Sequence, residues 1–421
     1  MKNYIAKYNI KENKQALFLF IATIASVLLG VLSSVLNTRY LSPTDYGDIR
    51  YVQNILNFLT LVLLFGYFQS GSRMLAVAQD EMTCRRIKGV MAIILALCSV
   101  VMVVCCIVCY FVFINTQHQV AQLFLASIPC CCAQLFSNYI NTTAQGDNQI
   151  GRLAICRVFP SFFYVLFGYL VYRNVGATSE RVILLQWGLN TLVSLIIIVT
   201  TLPIFNGLKP YWQQISKENK DYGIELYIGS LVMVATNYIA GITIGMFNTD
   251  NTEVGFYTLS LTITSPLSML PGIIGTTYFK KFASLKRIPT KVLKMTIFLC
   301  FVVFLSYIAI IKYVVAFLYS ESYAQVGVYA SWLAIGYTLH GIGDVLNRYL
   351  GSHGQGKAIR NSSIFNGLFK VFGYTVLIYL WGTNGAVLTT ILCSCIYAGT
   401  IFHYYKKFTD KNKRFAYENE I

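Results

Sequence analysis

Charge is what this chain has least of. Lys, Arg, Asp and Glu make up 12% of its 421 residues, and only 17 residues are acidic. Soluble domains carry about 25% charged residues, so side chains suited to water are short by about half. That deficit excludes a soluble enzyme, a secreted disulfide scaffold and a nucleic-acid-binding domain. No nucleic-acid partner is expected despite the net charge of +16. Catalytic motifs are missing as well. There is no GxxxxGK(S/T) phosphate loop, no HExxH and no GxSxG. Polar stretches between apolar blocks are too short to hold a catalytic domain. Nearly all of the twelve cysteines lie inside apolar runs, for example Cys105, Cys106, Cys109 and the run Cys130, Cys131, Cys132. None sits beside a His at zinc-ligand spacing. They read as small, soft hydrophobes, and no metal or cofactor is expected.

What the chain has instead is apolar length. Hydrophobic residues make up 56%, and mean hydropathy is +0.58. They fall into blocks of roughly 20, each long enough for a bilayer core of about 30 Å. Twelve helices are expected, near 17–37, 49–69, 89–114, 121–143, 153–172, 182–204, 223–247, 255–279, 292–318, 327–350, 361–381 and 385–404. The first is too long for a signal-peptide core and has no small-residue cleavage site after it. Of the 33 Lys and Arg, 24 lie in the termini and alternate connections. The opposite set holds Arg39, Arg50, Arg173 and Arg181, and five more lie inside the spans. The positive-inside rule then makes both termini cytoplasmic, which requires an even number of spans.

An offset of 208 residues brings the chain into register with itself. LSPTDYGDIRY (41–51) meets TDNTEVGFYTL (249–259), and TAQGDNQIGR (143–152) meets GSHGQGKAIR (351–360). The offset maps the first six helices onto the last six. Parallel repeats of this kind are a transporter architecture, with a substrate site expected between the halves. The expected division is an N-lobe 1–204, a cytoplasmic linker 205–222, a C-lobe 223–404 and a basic cytoplasmic tail 405–421.

Several polar residues lie where lipid is expected. Lys370 is about 15 Å from either end of its span at 1.5 Å per residue, too far to snorkel. Ser363, Asn366, Gly367, Gly373 and Tyr374 share its face. Arg157 shares a face with Ser161, Tyr164 and Gly168. Two readings of these cations stay open: a water-filled cavity, or structural pairing with a carboxylate. Lys312 is two turns from a helix end. Arg348 follows Asp344 by four positions, which suffices for an intrahelical pair. Polar stripes run through Gln134, Asn138, Asn141 and Gln145, through Arg50, Asn54, Asn57 and Thr60, and through Thr258, Thr262, Ser265 and Ser268. Such stripes mean either a wet interior or interhelical hydrogen bonding. Some of the thirty tyrosines are expected to face sugar rings, and others to form interfacial belts. Candidate interior bases are Arg39, Arg50, Arg157, Lys312 and Lys370. Buried acids are fewer, with Glu225 and Asp344 the candidates for ion coupling. A cationic interior suits an anionic substrate, with a pyrophosphate gaining most from convergent cations.

RYLSPTDYGDIRYVQNILNFLTLV (39–62) and LNRYLGSHGQGKAIRNSSIFNG (346–367) resemble signatures of the Wzx-type polysaccharide flippases. These O-antigen and capsule repeat-unit transporters belong to the multidrug/oligosaccharidyl-lipid/polysaccharide (MOP) exporter superfamily. The resemblance implies an all-α polytopic membrane protein of two pseudo-symmetric six-helix lobes. It implies alternating-access movement of undecaprenyl-diphosphate-linked oligosaccharide from the cytoplasmic to the outer leaflet of the bacterial inner membrane. It implies a drive from an H+ or Na+ gradient or the membrane potential. Carried onto this sequence, Arg39, Arg50, Arg157, Lys312 and Lys370 bind the diphosphate. Arg152, Lys357 and Arg360 guard the cytoplasmic entrance. The polar stripes contribute Asn54, Asn57, Gln134, Asn138, Asn141 and Asn366 to the lining. A polysaccharide polymerase and a chain-length regulator are expected partners beside membrane lipid. The two extra helices of lipid II flippases are not matched, which disfavours lipid II as substrate. The rival readings are a cation-coupled drug antiporter, expected to have an acidic interior, and a membrane polysaccharide polymerase, expected to have a large outer loop.

Overall fold

The computed structural model describes residues 2–418, with side chains described except at 2–17, 229, 230, 232, 233, 280 and 411–418. The lysines of the N-terminal segment and the basic end of the tail, both counted for topology, therefore lie outside the described side chains. The described residues form helices joined by short connections, without a strand. They form two compact units divided between Leu231 and Val232.

Unit 1 contains α1 (Lys2–Tyr40), α2 (Pro43–Leu63), α3 (Tyr67–Val77), α4 (Glu81–Phe113), α5 (His118–Ser127), α6 (Ala133–Gly146), α7 (Ile150–Val175), α8 (Ser179–Thr200) and α9 (Lys209–Glu218). Helix starts follow local chemistry. Ser42 caps α2, its hydroxyl accepting from the Asp45 N–H, with Pro43 in the first turn. Asp80 caps α4 by accepting from the Thr83 N–H at 2.7 Å. Hydrogen bonds from Thr83 hold that carboxyl below the ordinary Asp range.

Unit 2 contains most of α10 (Ile224–Phe247), then α11 (Thr252–Thr264), α12 (Pro266–Phe282), α13 (Thr290–Leu318), α14 (Ala324–Ser352), α15 (Gly356–Phe372) and α16 (Ile378–Glu418). A π turn, Gly373–Leu377, separates α15 from α16. α16 is bent at Gly382 (φ 55°, ψ −140°). α14 lies at the centre of this unit and packs on α11, α12, α13 and α16. The repeat is visible in the element starts. Pro43, Glu81, His118 and Ile150 open helices in unit 1, and Thr252, Thr290, Ala324 and Gly356 open helices in unit 2, 206 to 209 residues later.

Among the described residues, seven helices are long and apolar enough to cross a membrane, or nine if each of two bent pairs is one span. The bent pairs are α2 with α3, at 58°, and the His118–Cys130 segment with α6, at 41°. α14 falls outside this set although it spans 29 residues. His340, Asp344, Asn347 and Arg348 interrupt its apolar run.

The bend between α2 and α3 has a long-range cause. Phe65 and Gly66 both take positive φ there, 43° and 80°. A π turn, Asn219–Gly223, fits into the break. Asn219 Nδ2 donates to the Phe65 carbonyl at 3.1 Å, and the Ser70 hydroxyl donates to Asn219 Oδ1 at 3.2 Å. Tyr227 OH donates to the Val62 carbonyl at 2.8 Å. α9, inside the stretch read from sequence as linker, packs on α3 and α4 and buries Ile215. Arg73 pairs with Glu218 at 2.7 Å. A Cβ on Gly66 would stand 2.6 Å from both Asn219 Oδ1 and the Gly223 carbonyl. Gly66→Ala therefore adds a steric clash to a left-handed strain of about 1–2 kcal/mol. It is expected to lower the melting midpoint of the detergent-solubilised protein by several degrees; an unchanged midpoint would show that the break is soft.

At least eight of the thirty tyrosines belong to the core. Tyr46, Tyr51, Tyr139, Tyr164, Tyr172, Tyr257, Tyr323 and Tyr349 are among the largest fully buried side chains. Most of their hydroxyls bond within the core. Tyr139 donates to the Lys88 carbonyl at 3.1 Å, and Tyr349 donates to the Leu285 carbonyl at 3.1 Å. Tyr164 donates to Asn37 Oδ1 and contacts the Tyr172 hydroxyl. Burying an aromatic with its hydroxyl satisfied gains apolar area without an orphaned polar group.

Candidate functional site

Each unit carries its own polar cluster within the apolar helices. In unit 1, α2 presents Arg50, half-buried, with Nε donating to Tyr46 OH at 2.8 Å and Nη1 to Gln53 Oε1 at 3.0 Å. The guanidinium also lies 4.9 Å from the centroid of the Tyr46 ring. Gln53 Nε2 in turn donates to Gln186 Oε1 on α8 at 3.1 Å. Asn54 and Asn57 are half-buried on the same helix. On α6, Asn138 Nδ2 donates to the Gln134 carbonyl at 3.0 Å, so this amide is partly used by its own helix. Asn141 Oδ1 is buried without a partner among the described residues. Next to that stripe, Ser137 and Ser194 both donate to Asn190 Oδ1, at 3.2 and 3.4 Å.

Arg157, on α7, donates from Nη1 to the Thr23 hydroxyl of α1 at 3.0 Å. Arg152 donates to the Thr200 carbonyl at 3.1 Å and so closes the C-terminus of α8. Arg39 is exposed in the last turn of α1.

In unit 2, Lys370 lies in the last turn of α15, just before the π turn. Its ammonium donates to Asn237 Oδ1 of α10 at 3.5 Å. A turn away, Asn366 Oδ1 is buried without a partner among the described residues. Asp344 Oδ1 accepts from Tyr397 OH at 2.8 Å, and Tyr397 OH accepts from Asn347 Nδ2 at 2.8 Å. His340 stacks on the Tyr397 ring at 4.3 Å and interacts electrostatically with both Asp344 and Lys370. The expected Asp344–Arg348 pair does not form. Arg348 is exposed, and its stem lies against Gly275 of α12. Lys312 is exposed on α13, Lys357 and Arg360 are exposed on the first turns of α15, and Glu225 is exposed on the first turn of α10. The clusters thus hold Arg50, Lys370 and Asp344, with Arg157 on its own α1–α7 contact. They do not gather Arg39, Lys312, Lys357, Arg360 or Glu225.

These contacts bear on two sequence readings. The described residues form two ion pairs, Arg73–Glu218 and Lys88–Asp147. Arg50, Arg157 and Lys370 take part in neither, so each is held by neutral oxygens and not by a carboxylate. The stripe Thr258, Thr262, Ser265, Ser268 offers little to a ligand. Thr262, Ser265 and Ser268 donate to carbonyls three or four residues back in their own chain, a pattern that bends helices and accompanies the α11–α12 break.

Sequence reading passes over Tyr46, Gln53, Gln186, Asn190, Asn237, His340 and Tyr397. Gln186, Asn190 and Ser194 do repeat at i, i+4, i+8, a signal of the same kind as the α6 stripe. Isolated residues such as Asn237 and Tyr397 give no such signal.

Solved structures share this fold along nearly the whole chain. The lipid II flippase MurJ in an inward closed conformation is 13% identical, with a TM-score of 0.72 over 94% of this chain and 89% of that one. An inward-facing multidrug resistance MATE family transporter is 14% identical, with a TM-score of 0.68 over 92% and 96%. A MOP superfamily transporter from Pyrococcus furiosus, described as having a binding pocket of reverse polarity, is 13% identical, with a TM-score of 0.58 over 94% and 95%. The protein is therefore a multi-pass membrane protein with the MOP transporter fold. A comparison with curated proteins finds no match. The family model described as polysaccharide biosynthesis protein matches residues 13–279, and the chain belongs to that family.

Proposed function

We propose that this protein is a flippase for undecaprenyl-diphosphate-linked oligosaccharide units in the bacterial inner membrane, supplying O-antigen, capsule or exopolysaccharide synthesis. The observation that carries the reading is the state of its deep cations. Lys370, Arg50 and Arg157 sit within apolar helices, yet their hydrogen-bond partners are two amides, a phenol and a hydroxyl. A cation at the bilayer centre costs about 3 kcal/mol unless protein or water faces it. A protein that retains several without neutralising them has sites for an anion, and a diphosphate supplies one. Family membership supports the sugar part of the substrate. On this reading both termini are cytoplasmic and twelve spans alternate across the membrane. A polymerase and a chain-length regulator receive the product.

Asp344, with His340 and Tyr397, is proposed as the group coupling transport to an H+ or Na+ gradient. Asp344→Asn keeps an acceptor for Tyr397 but loses the ionisable carboxyl. Transport into proteoliposomes is expected to lose its response to an imposed gradient; a retained response rules Asp344 out.

The test of the main reading is complementation of flippase-deleted hosts with different repeat units, at matched membrane expression. Restored surface polymer, together with clearance of lipid-linked units from the inner leaflet, is the expected result. Failure in every host, with the protein folded in the membrane, would overturn it.

A further inference from the structure

Unit 2 holds a second feature, apart from the Lys370 cluster. A cavity of about 350 Å3 is lined by Trp332, Trp381, Asn384, Val387, Leu388 and Ile391. Asn384, Val387, Leu388 and Ile391 fall at i, i+3, i+4 and i+7, so they share one face of α16. Trp332 stands one turn before Gly336 on α14. At Gly336 the two helices touch, since a Cβ there would lie 3.3 Å from Ile391 Cα, the Thr390 carbonyl and Ser394 Oγ. The cavity begins where that contact ends. The bend at Gly382 immediately follows Trp381, which supplies the second indole.

The lining has a specific chemistry. Two of the chain's four tryptophans meet here, and they are 56% and 55% exposed. Neither indole N–H nor the Asn384 amide makes a hydrogen bond among the described residues. Flat apolar walls beside uncommitted polar groups match a pyranose ring, whose C–H face is apolar and whose edge is hydroxylated. The walls alone would serve a prenyl tail, whereas a pyranose ring engages the walls and the exposed indole and amide groups together. Tryptophans of an interfacial belt need no shared cavity.

We infer that this slot binds one sugar ring of the transported oligosaccharide, an inference that rests on the flippase reading. On the topology proposed above, the slot lies toward the outer end of unit 2, where the α15–α16 bend lies. It is then a subsite occupied late, as the sugar leaves.

The test uses full-length protein in nanodiscs carrying Trp187→Phe and Trp212→Phe, so that only the slot indoles emit. The probes are methyl glycosides of glucose, galactose, mannose, rhamnose and N-acetylglucosamine and, separately, undecaprenyl phosphate. At least one glycoside is expected to give a saturable emission change, with apparent affinity at least tenfold weaker in Asn384→Leu at an unchanged melting midpoint. A response to undecaprenyl phosphate alone would make the slot a lipid site and overturn the inference. So would no response to any probe. In complemented cells, Trp332→Ala and Trp381→Ala are expected to reduce polymer at least fivefold, and the Phe variants to restore it. Normal polymer in both Ala variants would also overturn it. If wild type exports in no host, the flippase reading falls while glycoside binding still decides the slot.

Discussion

Lys370→Ala is expected to abolish surface polysaccharide in a host that the wild-type protein complements, with lipid-linked units accumulating on the cytoplasmic side. The ammonium has one protein hydrogen-bond partner, the Asn237 carbonyl oxygen at 3.5 Å, at the outer limit for such a bond. Two of the three donors on this charge are therefore available to a ligand. A charge-assisted contact to a diphosphate is worth about 3 kcal/mol, or roughly 100-fold in binding at 1.4 kcal/mol per tenfold. Lys370→Arg keeps the charge and is expected to retain polymer. Lys370→Met keeps the stem and is expected to behave like Ala, which separates charge from packing. Normal polymer from Ala at matched expression would remove Lys370 from the transport path.

The second large effect concerns stability. Lys88, its side chain 5% exposed, pairs with Asp147 at 2.5 Å, joining α4 to the turn between α6 and α7. Tyr139 donates to the carbonyl of the same lysine. Removing one partner of a buried pair leaves the other charge uncompensated and costs about 3–5 kcal/mol. Lys88→Met is therefore expected to lower the melting midpoint sharply and to reduce membrane yield. The carboxylate left by Lys88→Met is 23% exposed and partly solvated, whereas Asp147→Asn strands the more deeply buried ammonium, so Asp147→Asn is expected to cost at least as much. The Lys88→Met/Asp147→Asn double variant is expected to be more stable than Lys88→Met alone, since it no longer carries a lone charge. If Lys88→Met melts like wild type, the pair is not holding these helices.

The long helices were legible from sequence where they are continuous apolar blocks between polar connections. Their breaks were not. Nothing near Phe65 and Gly66 announces a 58° bend, because its partner is Asn219, more than 150 residues later. The deep cations were legible because Lys and Arg are rare within apolar spans. Their partners were not, since a threonine, a tyrosine or an asparagine is ordinary anywhere in a membrane helix. Asp344 shows the limit of local reasoning. Arg348 stands at the spacing that favours a pair, yet the carboxylate accepts from Tyr397, 53 residues away. Within a packed bundle a phenol can be buried with the carboxylate, whereas Arg348 can extend outward over Gly275.

The polar interruption of α14 bears on how the protein is made. A segment with His340, Asp344, Asn347 and Arg348 is poorly suited to leave the translocon alone. Its carboxylate's hydrogen-bond donor, Tyr397, has not been synthesised when α14 reaches the membrane. α13, far more apolar, precedes it and packs against it. On the proposed topology α14 is therefore expected to stay against α13 until α16 arrives, which would make insertion of unit 2 cooperative and complete only with the last helix.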